Sequence, residues 1–431
     1  MDLLKSLLKG DRVIWVIFLC LCVISIIEVF SAASTLTYKT GDHWAPITQH
    51  VIMLMVGVVI VIVVHMIPYK WFQVFPVFLL PASIALLLFV TVMGVVTGDR
   101  VNGAARWMTF FGIQFQPSEL AKMAVIIATS FILSKRQSDD GANPKAFKYI
   151  MIITGMVCLL IAPENLSTAM LLFGVVLLLM FIGQVAIKKL LLLIGGIALI
   201  GTFIVGLAFV VPSDTNIPFM HRLSTWKNRI VNFTEDEEVP AAKFDIDKDA
   251  QIAHARIAIA TSNLVGKAPG NSVQRDFLSQ AFSDFIFAII IEELGLVGGG
   301  FVVALYIWLL IRAGRIAQKC NRTFPALLVM GIALMLVSQA MLNMMVAVGL
   351  FPVTGQPLPL ISKGGTSTLI NCAYIGMILS VSRYTIFLEK EKEDAAKAAE
   401  EAALALQAAE PTAQILNSDS EFEERQGSEF K

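Results

Sequence analysis

The chain has 431 residues, 56% of them hydrophobic and 15% charged, with a mean hydropathy of +0.74. A soluble domain carries nearer a quarter charged residues, so this composition is that of a polytopic membrane protein. Lys plus Arg and Asp plus Glu balance at 33 each, and no basic stripe lies outside short loops, which argues against nucleic acid as a partner.

A bilayer core of ~30 Å requires roughly 20 apolar residues as helix. Ten runs qualify: 13–33, 47–67, 72–94, 118–134, 149–163, 166–184, 190–212, 285–311, 325–349 and 366–386. The expected fold is therefore all-α, with ten transmembrane helices and a large extracytoplasmic loop, 213–284, between helices 7 and 8. Residues 1–12 form a cytoplasmic N-terminus, 13–388 the membrane domain and 389–431 a cytoplasmic tail. The first run ends in Ser31-Ala32-Ala33, which resembles a cleavage site. It is too long for a signal-peptide core and nine runs follow, so it reads as an anchor. Loops carrying Lys5, Lys9, Arg12, Lys70, Lys135, Arg136, Lys188, Lys189, Arg312 and Arg315 alternate with short loops holding only Lys39, Arg100, Arg106 and Lys363. The imbalance puts both termini in the cytoplasm. Past Glu389 the Ala/Glu/Lys composition favours helix, and past Pro411 it becomes polar and acidic, which predicts disorder.

Four polar motifs fall on the outer side. The first, 102–122, joins an Asn102-Gly103 turn to Arg106-Trp107, then an apolar stretch that could lie along the membrane surface. Pro117 suits the first turn of the next helix, and Glu119 and Lys122 share one of its faces. They read either as a structural ion pair or as the wall of a polar cavity. The second, Pro163-Glu164-Asn165-Leu166-Ser167-Thr168, makes a tight hairpin whose polar side chains suit a helix cap. The third runs from Gly270 to Gly295. Asn271, Ser272 and Gln274 form a polar loop, Asp284 stands at the mouth of an apolar run, and Glu292 and Glu293 lie about two turns inside it. Ionisable groups in a span are costly and mark pathways or reaction sites. Asp284 could instead be an N-cap, and the two glutamates could serve interhelical pairing. The fourth, 349–367, is rich in Pro and Gly, irregular backbone that is tolerated at membrane depth only when buried in protein or lining a cavity. Its Lys363-Gly364-Gly365 offers a cation and bare amides to a phosphate, or a snorkelling lysine.

The five cysteines, Cys20, Cys22, Cys158, Cys320 and Cys372, form no CxxC pair and read as small buried hydrophobes. Asp245, Asp247 and Asp249 occupy the first positions of a calcium loop. Ala250 stands where Gly is needed and Arg256 where Glu is needed, so the calcium reading fails.

In order and spacing, NGAARW with FQPSELAK, GNSVQ with SDFIFAIIIEELG, and GLFPVTGQPLPLIS with KGGTS resemble the SEDS family (shape, elongation, division and sporulation proteins) of bacterial cell-wall synthesis, over residues 10–386. GNSVQ resembles the division branch, the FtsW type, rather than the RodA branch. The resemblance implies a peptidoglycan glycosyltransferase that polymerises lipid II outside the bacterial cytoplasmic membrane, for septal wall synthesis in cell division. It implies a class B penicillin-binding protein and other division proteins as partners. It places the essential aspartate on Asp284 and cavity residues on Arg106, Glu119 and Lys122. The chain departs from the family pattern at Phe282-Ser283 (usually His-Thr), at Pro163-Glu164-Asn165 (usually Gln-Pro-Asp) and at Lys363 (usually Tyr).

The chemistry suits these residues. Glycan extension needs a sugar hydroxyl made nucleophilic and a lipid diphosphate that leaves. A carboxylate serves as general base, worth ~10²–10⁴ in rate, and cations stabilise the departing charge. Asp284 is the expected base. Arg106, Lys122 and Lys363 are the expected electrostatic partners, with Glu119, Asn271, Ser272 and Gln274 completing the substrate site. No residue set for a metal is assigned and no cofactor is tightly bound, although a divalent cation, Mg²⁺ or Mn²⁺, is compatible with diphosphate chemistry. A lipid II flippase and a non-catalytic division scaffold are the competing classes. The first needs access from both sides, and the second would tolerate loss of Asp284.

Overall fold

The computed structural model describes residues 9–32, 44–96, 107–110, 113–138, 141–210, 249–278 and 281–428. Helices occupy each apolar interval: α1 (Arg12–Ala32), α2 (Ala45–Met66), α3 (Phe75–Val96), α4 (Pro117–Lys135), α5 (Pro144–Ile161), α6 (Leu166–Ile182), α7 (Ile187–Val210), α9 (Ile286–Gln318), α10 (Thr323–Ala347) and α11 (Gly365–Ser428), with α8 (Asp249–Thr261) between α7 and α9. Eight of them are long and apolar enough to cross a membrane, and α6 is a shorter apolar helix. Large apolar side chains face outward, among them Leu159, Leu192, Leu199 and Phe78 at 70–80% exposure. In water such a surface would aggregate; in lipid it is the solvated face.

α10 packs against α9, α4 and α6, and α1 packs against α9 and α2, so α9 and α10 form the centre. α1 is strapped to α9 near both ends. Asp11 caps α1 through the Val13 N–H at 2.9 Å and receives Arg312 of α9 at 2.6 Å. At the opposite end Ser31 donates to Glu293.

Four features differ from the sequence reading. The apolar stretch after Trp107 is a β-hairpin, β1 (Met108–Phe110) with β2 (Ile113–Phe115), in which Met108 faces Phe115. Aromatic and β-branched residues suit a strand pair, a conformation the sequence reading left unassigned. Part of the large loop is helical, α8, and Asp249 opens that helix. α11 runs as helix through Ser428, past Pro411, where composition predicts disorder. The Ala- and Glu-rich run supplies helix propensity before the proline. Contacts divide the chain after Ser382, so the part of α11 from Arg383 onward is a unit of its own.

The fourth difference bears on the site. α9 is not one straight span. Gly295 breaks it with φ 73° and ψ −176°. A Cβ there would lie 2.3 Å from the Leu264 carbonyl oxygen and 2.5 Å from the Gly266 nitrogen, so only glycine fits both the conformation and the space. Segment 263–268 docks into the break. Leu296 and Val297 donate to the carbonyls of Asn263 and Leu264, and Lys267 and Ala268 donate to those of Glu292 and Glu293. The short helical piece before Gly295 therefore carries Asp284 at one end and the two glutamates at the other.

Candidate active site

Asp284 lies on the turn 281–285 that leads into α9 and is half-buried. The N-cap position belongs to Phe285 and has no side-chain cap bond, so capping does not account for Asp284. Its Oδ1 accepts from Ser283 Oγ at 2.9 Å. Three successive carbonyls of the turn are pinned from outside it. Phe282 O accepts from the Lys363 N–H at 2.9 Å, Ser283 O from Ser362 Oγ at 2.6 Å, and Asp284 O from Asn343 Nδ2 at 2.9 Å. Backbone held at three consecutive points has little freedom, so the carboxylate is carried on a rigid support.

The pinning groups come from the Pro/Gly-rich segment 349–365 and from α10. The segment is itself anchored. Ser25 of α1 donates to Ile361 O at 2.6 Å and meets His50 Nε2 of α2 at 2.8 Å. Tyr306 of α9 donates to Pro359 O, and Gln356 Nε2 reaches Thr168 Oγ1 of α6 at 2.6 Å. This irregular backbone is enclosed by helices, as its depth requires. Lys363 is half-buried with its Nζ 5.6 Å from the centre of the Phe282 ring. Burial lowers its pKa below the ordinary lysine range, so it gives up its proton at a lower pH than an exposed lysine. Its own N–H is taken by Phe282, which removes one of the bare amides the sequence suggested.

Glu119 and Lys122 form an ion pair at 2.7 Å with both side chains essentially inaccessible. Lys122 Nζ also donates to Gln339 Oε1 of α10 at 2.8 Å. Pro117 opens α4, as its sequence position predicts, and Asn165 caps α6 through the Thr168 N–H at 3.2 Å. Arg106 lies outside the described residues.

The polar loop of the third motif is built differently from its sequence reading. Ser272 and Gln274 are held by the glutamates. Glu292 accepts from Ser272 Oγ, from the Val273 and Gln274 N–H groups at 3.2 and 3.3 Å, and from Lys267 Nζ at 2.6 Å. Glu293 accepts from the Gly270 and Ser272 N–H groups at 3.1 and 3.3 Å. Arg275 donates to Ser31 at 2.9 Å, and the Gln274 side chain meets His254 at 2.7 Å. Asn271 is exposed, with its side-chain amide on the Lys267 carbonyl. Glu292 and Glu293 thus act as a double anion clamp that fastens loop 266–275 to α9 and α1. Most of their partners lie some twenty residues upstream, and Ser31 of α1, which donates to Glu293, is on a facing helix.

Sequence reasoning passed over Gln339, Asn343, Gln356 and Ser362, which tie the turn to its surroundings. Gln339 and Asn343 carried a signal: two amides four residues apart inside an apolar run lie on one helix face. Beside this network an apolar groove of about 1000 Å³ runs between α6, α7 and α10, lined by residues such as Leu171, Leu191, Val337 and Met341, and reaches Phe351–Thr354. Among the described residues no three His, Cys, Asp or Glu side chains cluster as ligands for a metal ion.

The profile of a family described as "Cell cycle protein", FtsW/RodA/SpoVE, matches residues 11–386. The chain belongs to this family. Proteins named probable peptidoglycan glycosyltransferase FtsW are similar to it along most of their length. That of Trichlorobacter lovleyi is 31% identical, covering 87% of this chain and 94% of the relative. That of Geobacter metallireducens is 29% identical, covering 88% and 96%. Among solved structures, a chain of a peptidoglycan synthase complex that coordinates polymerization and crosslinking superposes with a TM-score of 0.69 at 23% identity, covering 88% of this chain and 99% of that one. The rod shape determining protein RodA of Thermus thermophilus gives 0.60 at 23% identity, covering 87% and 97%. These likenesses establish the FtsW/RodA fold for this chain. Within that fold the Asp284 turn, segment 349–365 and the α4–α10 polar pair form one connected unit.

Proposed function

We propose that this chain is a peptidoglycan glycosyltransferase of the division type, polymerising lipid II into glycan strands at the outer face of the cytoplasmic membrane. The observation that carries the reading is Asp284, a half-exposed carboxylate on a turn pinned at three carbonyls, with Lys363 on the strand of backbone that pins it. Asp284 accepts the proton of the acceptor sugar hydroxyl as that oxygen bonds to the anomeric carbon of the lipid-linked donor. The bond from that carbon to the diphosphate breaks, and the diphosphate leaves with the electron pair. Lys363 faces the departing charge, and Arg106 is assigned the same task from the family pattern. Mg²⁺ or Mn²⁺ would be held chiefly by the diphosphate, with Asp284 nearby, and no step here uses it. The apolar groove between α6, α7 and α10 has the chemistry of a polyprenyl chain and ends two residues from Gln356. The family, and the naming of its FtsW members as glycosyltransferases, support enzyme over flippase.

The reading includes ten spans with both termini cytoplasmic, action at the septum and a class B penicillin-binding protein as the crosslinking partner. The synthase complex in which the fold recurs supports such an assembly. In a cysteine-free background, a single cysteine at Thr234 should react with an impermeant reagent added outside, and one at Gln137 should not. Equal labelling would refute this topology. The activity itself is tested by giving the purified chain, with its partner, lipid II in a bilayer. Polymer on a gel is the expected result. Translocation of lipid II without polymer would establish the flippase instead.

A further inference from the structure

α10 presents two amides on one face, Gln339 and Asn343, both about 98% buried. Each makes two connections. Asn343 Nδ2 donates to Asp284 O at 2.9 Å and to Gln356 O at 2.7 Å. Gln339 Nε2 donates to Pro357 O at 3.0 Å, while its Oε1 accepts from Lys122 Nζ at 2.8 Å. The Asn343 orientation is set by its partners, because the flipped amide would aim its oxygen at two carbonyl oxygens. Both amides grip adjacent carbonyls, Gln356 and Pro357, of one backbone strap. From that strap one rung reaches the Asp284 turn and the other reaches Lys122 on α4. Neither rung has exposed surface from which to touch a substrate.

We propose that Gln339 and Asn343 are positioning residues for sugar transfer: together they set the placement of Asp284 relative to Lys122 through the shared Gln356–Pro357 strap. This rests on the reading that the Asp284 turn is the reaction centre. A group that must sit within ångströms of a reacting hydroxyl loses about 100-fold in rate when displaced by ~1 Å. Substrate binding, which other surfaces carry, should change little.

The test uses the full chain with its crosslinking partner, steady-state polymerisation of lipid II, and turnover normalised to folded protein measured by thermal melting. Asn343→Asp is nearly isosteric but sets an oxygen against two carbonyls. Asn343→Leu removes both donors, and Gln339→Leu removes only the other rung and so remains informative where Asn343 variants fold poorly. The expected result is a fall in kcat of ~10- to 100-fold with KM for lipid II within about twofold of wild type. Asn343→Gln, which keeps the donor on a longer arm, should recover part of the loss. Turnover that returns to normal once corrected for folded fraction would overturn the proposal in favour of a purely structural role. A raised KM with unchanged kcat would overturn it in favour of direct substrate contact. Asp284→Asn is run alongside: full activity there would refute the underlying reading, whereas an inactive Asp284→Asn with fully active Asn343 and Gln339 variants would refute only this inference.

Discussion

Asp284→Asn should insert, fold and bind its partner, yet form almost no glycan polymer. The substitution is nearly isosteric, and the amide oxygen can still accept the Ser283 hydroxyl now 2.9 Å from Oδ1. The three bonds that hold the turn go to backbone carbonyls and are indifferent to the side chain. Because Phe285 occupies the N-cap, no cap is lost either, and the melting temperature should stay close to wild type. An amide cannot take the acceptor hydroxyl's proton at neutral pH. The expected loss is that of a general base, ~10²–10⁴ in rate. Asp284→Glu should retain a trace, since one methylene displaces the carboxylate on a support too rigid to compensate. Gel-resolved polymer from lipid II, with melting in parallel, decides the matter. Wild-type yield from well-folded Asp284→Asn would remove the carboxylate from the mechanism and reopen the flippase reading.

The helices were legible because apolar runs of span length need no tertiary context. The expected 285–311 run begins at the N-cap of Ile286–Gln318 and otherwise lies inside it, and Pro117 and Asn165 sit at helix starts as their local chemistry dictates. What could not be read depends on pairs distant in sequence. The break at Gly295 is a glycine among several in GLVGGG; only the docking of 263–268 singles it out. Ser272 and Gln274 look like ligand-binding groups until Glu292 and Glu293 are found to hold their loop. Asp284 stood out in the sequence, whereas what aims it did not: the amide pair Gln339 and Asn343 marks one polar helix face, but the backbone carbonyls that Asn343 and Ser362 hold leave no residue-type signature.

The Glu119–Lys122 pair separates stability from chemistry. Both side chains are buried, at 1% and 0% exposure, and meet at 2.7 Å. Lys122→Met leaves the Glu119 carboxylate buried without its counter-ion, a change that costs about 3–5 kcal/mol. The double variant Glu119→Gln/Lys122→Met removes both charges at similar volume and should recover most of that loss, as replaced buried pairs commonly do. A purely structural pair would recover polymerisation along with stability. We expect recovery of stability alone. Lys122 donates to Gln339 on the rung that shares a backbone strap with Asp284, so its removal also loosens the frame around the base. Melting temperature and lipid II turnover of wild type, both single variants and the double variant form the cycle. A double variant that is both stable and fully active would reduce the pair to a seal between α4 and α10.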